Sequence, residues 1–310
     1  MNEPDNESKA KIASSQWRLF FVVLVLGLSG IFYGILREHR LYNSAALYIG
    51  LPLLLALGLS LSPKTKSALG ATMKGMTIAL LLSAIVFLEG YICILLAAPI
   101  FYAVGALIAY PIDRACKRED KNSTLQTACI ATVFGLLSLE GTTEMTTVPR
   151  HNEIIVSKIV AADITDIRSQ LSKTPEFTQD KPVFLKIFPY PAQITGQGLN
   201  IGDERVAKFI AYKHIWWSKV EGDLVMKITE NSKDKIKFAV VKDDSYLSHY
   251  LKWQSSEVSL ESVDSTHTKV TWKLSYERML DPAWYFSPMQ RYAATLAARE
   301  LIDHVATPHT

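Results

Sequence analysis

About 125 consecutive residues, from Trp17 to Gly141, are built almost wholly of long apolar stretches, and the roughly 165 that follow are not. Such a chain must satisfy two solvents. The first part has little polar surface to offer water, so a membrane-embedded α-helical bundle is expected over residues 17–141, after a polar tail at 1–16. A bilayer core takes ~20 apolar residues per spanning helix. Five stretches approach that length: residues 17–36, 41–61, 76–88, 91–112 and 125–139. The third and fourth together are too long for one helix, which predicts a tight hairpin with Glu89-Gly90 at its turn. The first reads as a span and not as a cleavable signal, being too long and followed by further spans.

Loop charge sets the expected orientation, because Lys and Arg favour the cytoplasmic side. With five spans, ten basic residues fall on one side: Lys9, Lys11, Arg18, Lys64, Lys66, Lys74, Arg114, Lys117, Arg118 and Lys121. Two, Arg37 and Arg40, fall on the other. The reading is a bacterial inner-membrane protein with a cytoplasmic N-terminus and a C-terminal domain outside. If the fifth stretch does not span, that domain lies in the cytoplasm. The net charge of +3 belongs to the membrane half, since from Gly141 onward 21 basic residues balance 21 acidic ones. A neutral domain lacks the basic face that nucleic-acid binding needs. All three cysteines, Cys93, Cys116 and Cys129, lie in the first part, so the second uses no disulfide or thiol chemistry.

From residue 148 the pattern is that of a mixed α+β domain reaching residue 310. Residues 153–160 read as a strand and 161–173 as a helix, with Asp163 or Thr165 near its start. A short second helix is possible at 180–187, and a Pro/Gly-rich link covers 189–202. Five β-rich runs follow, at 205–212, 223–230, 235–242, 250–263 and 268–277. The last alternates cleanly, with Val270, Trp272, Leu274 and Tyr276 on one face. A Gly-free segment at 283–306 reads as a long helix, with Pro288 kinking it or delaying its start.

This order of elements resembles the START-like helix-grip fold of the SRPBCC superfamily, the polyketide cyclase/dehydrase and lipid-transport group. The carriers of the resemblance are the first strand with Ala161-Ala162-Asp163, then Gly202-Asp203-Glu204-Arg205, Trp253 in a central strand, and Asp281-Pro282-Ala283-Trp284-Tyr285-Phe286 before the last helix. The whole chain also resembles bacterial membrane proteins that join several spans to such a domain. The resemblance implies an antiparallel sheet wrapped on a long C-terminal helix, with an apolar cavity between them. It implies a partner, a lipid or other small hydrophobic ligand, and no cofactor. One fold hosts many functions, so it implies no particular chemistry.

Trp253, Trp272, Tyr276 and Tyr292 are the candidate ligand-binding aromatics; the alternative is ordinary core between sheet and helix. Arg205 could orient a polar head group at a cavity rim or pair with a carboxylate for structure. Trp216-Trp217 could line the pocket or sit at a lipid interface. Glu89 is the candidate at the membrane interface, since an acid in a spanning region is costly unless it reaches head groups or water. His214, His249 and His267 have no metal-ligand spacing and no cysteine beside them, so no metal site is expected. No nucleophile elbow, phosphate loop or kinase signature is present, and no catalytic residue can be named. Two functions remain: a membrane-anchored binding or transfer module for a hydrophobic ligand, and a polyketide cyclase/dehydratase-like enzyme acting on an apolar substrate.

Overall fold

The computed structural model describes residues 44–60, 67–86, 91–118, 121–174, 182–189, 191–212 and 219–306, with isolated positions between 21 and 39. They belong to two compact units, Met1–Val148 and Pro149–Thr310.

In the first unit a π-helical turn, Ala46–Gly50, runs into α1 (Leu51–Ser60). Helices α2 (Ala68–Val86), α3 (Tyr91–Arg118) and α4 (Lys121–Leu137) follow. Each falls on an apolar stretch of the sequence. Asp113 of α3 accepts hydrogen bonds from the Ala68 and Leu69 amides (2.5 and 3.4 Å) and from Ser67 Oγ (2.6 Å). It thus satisfies N–H groups that the first turn of α2 leaves without partners and meets the positive end of that helix. Among the described residues one segment, Ile94–Arg114 within α3, is long and apolar enough to cross a membrane. Ala46–Leu57 and Leu125–Leu137 are apolar but shorter. Of the five spans that the sequence predicts, the described residues thus hold one candidate, and most of the first predicted stretch, 17–36, lies outside them. Glu89 lies outside the described residues, as do Trp216, Trp217 and His214.

The second unit is a seven-stranded antiparallel sheet with helices on one face. Strand β1 (His151–Val160) leads to α5 (Ile164–Ser172), whose N-cap is Asp163, its side chain accepting from the Asp166 amide. The strands β2 (Pro191–Thr195), β3 (Glu204–Tyr212), β4 (Lys219–Asn231), β5 (Lys235–Asp243), β6 (Leu251–Ser262) and β7 (Thr268–Arg278) form a meander. Their order, β1-β7-β6-β5-β4-β3-β2, brings the first strand beside the last. Segment 189–202, expected to be a link, contains β2, an edge strand beginning on Pro191, where a missing N–H costs no ladder bond. Of the expected short helix the described part holds a single 3-10 turn, Leu185–Ile187.

Helix α6 (Ala283–Ala306) has the expected bounds, with Pro288 inside it and no delay of its start. It packs on β1 and β7. Its buried positions Phe286, Gln290, Ala293, Ala294, Ala298, Ile302 and Val305 recur every three to four residues and form one stripe. Of these, Ala298, Ile302 and Val305 meet Ile228, Ile236, Val258, Val270, Trp272 and Leu274 from the sheet in the main apolar core. A buried ion cluster pins the start of α6. The Arg278 guanidinium donates to the Asp281 carboxylate, and Arg150 Nη2 donates to its other oxygen at 2.7 Å.

Register shifts bend the sheet, and the one in β6 matters most. Trp253 pairs with Tyr276, but the next pair is Ser255 with Ser275, so Gln254 is an extra residue. Toward the C-terminal end of β6 the even positions Ser256, Val258 and Leu260 are buried. Strict alternation from them would turn Trp253 to the outer face. The bulge at Gln254 reverses the phase and brings Trp253 and Leu251 to the same side as Trp272 and Leu274, where all four line one space.

Candidate functional site

That space is a cavity of about 240 Å³ inside the second unit. The concave face of the sheet supplies its floor: Ala207 and Phe209 of β3, Leu224 and Met226 of β4, Phe238 and Val240 of β5, Trp253 of β6, Trp272 and Leu274 of β7. Helix α6 covers it with Ala293, Ala294, Ala297 and Leu301. Three of these are alanines. Small side chains on the helix leave the gap that larger ones would close, so the void follows directly from the sequence of α6. Leu185, Phe188 and Pro189 complete the lining beside β2.

Polar groups at the wall are few. The Trp272 indole N–H donates to Ser256 Oγ at 2.8 Å, so both are satisfied. Gln170, Lys173, Arg205, Ser255 and His304 also line the cavity, and among the described lining residues none is Asp or Glu. Arg205 is in phase with Ala207 and Phe209 on β3 and is 4% exposed. Burial holds its guanidinium below its usual pKa, while the Asp203 charge acts the other way. Its Nη2 donates to the carbonyls of Leu171 (3.4 Å), Ser172 (3.2 Å) and Gly198 (2.7 Å). The first two are orphan acceptors at the C-terminus of α5. The third is presented by a loop that needs glycine. Gly198 has φ +90°, and a Cβ there would lie 2.3 Å from an Asp203 carboxylate oxygen.

The expected site residues divide. Trp253, Trp272 and Arg205 line the cavity. Tyr276 does not: it is fully buried, packs edge-to-face on Trp253 at 5.8 Å, and has no polar partner for its hydroxyl. Burial pushes its pKa up to about 12. Nor does Tyr292, which the sequence placed on the helix face toward the sheet. It is 54% exposed and stacks on Phe184 at 5.2 Å. The reason is helical phase: position 292 falls outside the stripe that runs through Gln290, Ala293 and Ala294. Arg205 makes no ion pair within 4.0 Å with a carboxylate among the described residues, so its expected structural role is served instead by backbone carbonyls.

Of the histidines weighed from the sequence, the two among the described residues are local features. His249 Nδ1 lies 3.2 Å from the Tyr246 carbonyl, and His267 sits on Asp264 in the β6–β7 turn at 3.0 Å. His304, which does line the cavity, was missed; its place on the last turn of α6, one turn after Leu301, was the available signal. No group of potential metal ligands forms among the described residues.

A curved seven-stranded antiparallel sheet holding a long C-terminal helix, with a cavity between them, is the START-like helix grip. No family model matches the chain, and no curated protein matches it. Among solved structures it is similar to a truncated norcoclaurine synthase from Thalictrum flavum, at 13% identity over 53% of this chain and 99% of that one, with a TM-score of 0.36. A START superfamily protein from Mycobacterium smegmatis is similar at 15% identity, over 50% and 94%, with a TM-score of 0.32. A Streptomyces aromatase/cyclase is similar at 11% identity, over 50% and 92%, with a TM-score of 0.33. The fold assignment itself rests on strand order and helix placement.

Proposed function

We propose that the second unit is a binding or transfer module for a lipid or other small hydrophobic molecule, and that the first unit holds it at a membrane. The cavity carries the first half of this reading. Its wall is almost wholly apolar, and an apolar void of this kind excludes water and accepts an apolar molecule. The membrane half is supported by Ile94–Arg114 and by the outward-facing Leu95, Leu107, Leu125 and Leu136 of α3 and α4. The charge bias of the loops supports a C-terminal domain outside the cytoplasm. The enzymatic alternative needs a titratable pair in the cavity. The described lining residues include His304 and no carboxylate, which favours binding over cyclase- or dehydratase-like chemistry.

The test is titration of the purified full-length protein with an uncharged naphthylamine dye that fluoresces in apolar surroundings. Saturable binding at one site, lost on Ala297→Phe with no fall in Tm, is expected. An introduced ring that leaves dye binding unchanged would place the dye elsewhere.

A further inference from the structure

We propose that the ligand of this cavity is an anionic amphiphile, a hydrophobic carboxylic acid, whose carboxylate is held by Arg205. The inference rests on the binding reading above and names the chemistry of its ligand. Three observations carry it together. Arg205 lines the cavity and is 4% exposed. Its Nη1 is buried and has no hydrogen-bond partner, although Nη2 has three acceptors. Among the described residues the lining contains a second cationic residue, Lys173 at the C-cap of α5, and no carboxylate.

An orphan buried N–H of a charged group is costly, and Nη1 differs from the other orphaned guanidinium nitrogens, Nε of Arg150 and Nε of Arg278, in belonging to a residue that lines the cavity. A buried guanidinium also needs an anion to balance it. The Asp203 charge offsets part of this, but among the described residues no carboxylate pairs directly with Arg205, and the neutral carbonyls satisfy Nη2 alone. A carboxylate fits both needs, since guanidinium and carboxylate form short charge-assisted hydrogen bonds. The position suits an amphiphile. Arg205 and Lys173 line the cavity where β3 meets the C-terminus of α5, and Trp253, Trp272 and Leu274 offer the same space an apolar wall.

Dansyl-labelled undecanoic acid and its methyl ester, titrated into the purified full-length protein, test the assignment. The acid is expected to bind roughly tenfold or more tightly than the ester, the size of a charge-assisted hydrogen bond. Arg205→Met should bring the two within about twofold by weakening the acid and sparing the ester. Should that variant not fold, Arg205→Gln, which keeps an amide donor for the α5 carbonyls, carries the same comparison. Equal binding of acid and ester to the native protein would overturn the carboxylate assignment and leave the apolar cavity intact. An undiminished acid preference in a folded Arg205 variant would also overturn it. Failure of both probes to bind would instead remove the binding reading on which it stands.

Discussion

At the scale of single residues, the two neighbouring aromatics of β7 have opposite roles. Trp272 lines the cavity, so one side of its ring has no close-packed neighbour to lose. Truncating a core aromatic to Ala costs about 3–5 kcal/mol. Trp272→Ala is expected to fall below that range in chemical denaturation while weakening dye binding strongly. Tyr276 is the converse: closed core with an unsatisfied hydroxyl. Tyr276→Phe is expected to leave stability unchanged or raise it, because the buried polar group is removed without creating a void. The same hydroxyl gives a pH signature. With its folded pKa at about 12 and an unfolded value near 10, the native state retains a proton that the unfolded state releases. Because burial penalises the phenolate, stability is unaffected by this group below the unfolded pKa and falls as pH rises from there through the folded one. Denaturation across that window should show a fall in the native protein that is smaller in Tyr276→Phe. Period-two alternation placed Val270, Trp272, Leu274 and Tyr276 on the inner face, as observed. It could not separate Trp272 from Tyr276, because lining and core share a face and differ only in what stands opposite.

At the scale of elements, six of the seven strands and both longer helices of the second unit were legible from alternation, turn residues and the Asp163 cap. Strand β2 was not, because a short edge strand begins on proline inside a run of loop-forming residues. The phase reversal at Gln254 was also hidden: nothing in residues 251–256 distinguishes a bulge from a regular strand. Deleting Gln254 tests its role. The remaining residues should resume strict alternation and turn Trp253 outward. In a chain whose only tryptophan is Trp253, emission is expected to shift to the red and acrylamide quenching to rise. Unchanged emission would mean that the bulge re-forms one residue away. Arg205 belongs to this scale too. The sequence offered it a place at a cavity rim or a carboxylate partner, and neither reading shows its acceptors, which come from the C-terminus of α5 and from the Gly198 loop. Gly196→Ala should disturb that loop, since φ is +103° and a Cβ would lie 2.0 Å from the Glu204 carbonyl oxygen. A loss of about 1–3 kcal/mol is expected in denaturant titration.

At the scale of the whole molecule, the sequence divides into two parts with different solvent demands; the compact units of the structure are Met1–Val148 and Pro149–Thr310. Among the described residues the apolar stretches form helices, but composition alone does not say how many of them cross a bilayer. Alkaline phosphatase fused after Thr310 is expected to be active, as the loop charge predicts; activity confined to a cytoplasmic reporter would place the domain inside. The central claim, however, is that the space between the sheet and α6 is a binding cavity. Native mass spectrometry of the full-length protein, isolated from the cells that make it, tests this most directly. The account predicts one hydrophobic small molecule per chain, released on collisional activation and absent from Ala297→Phe purified in the same way. A native protein that carries no such molecule and takes up none from added lipid extract, or an adduct retained unchanged by the filled-cavity variant, would contradict it.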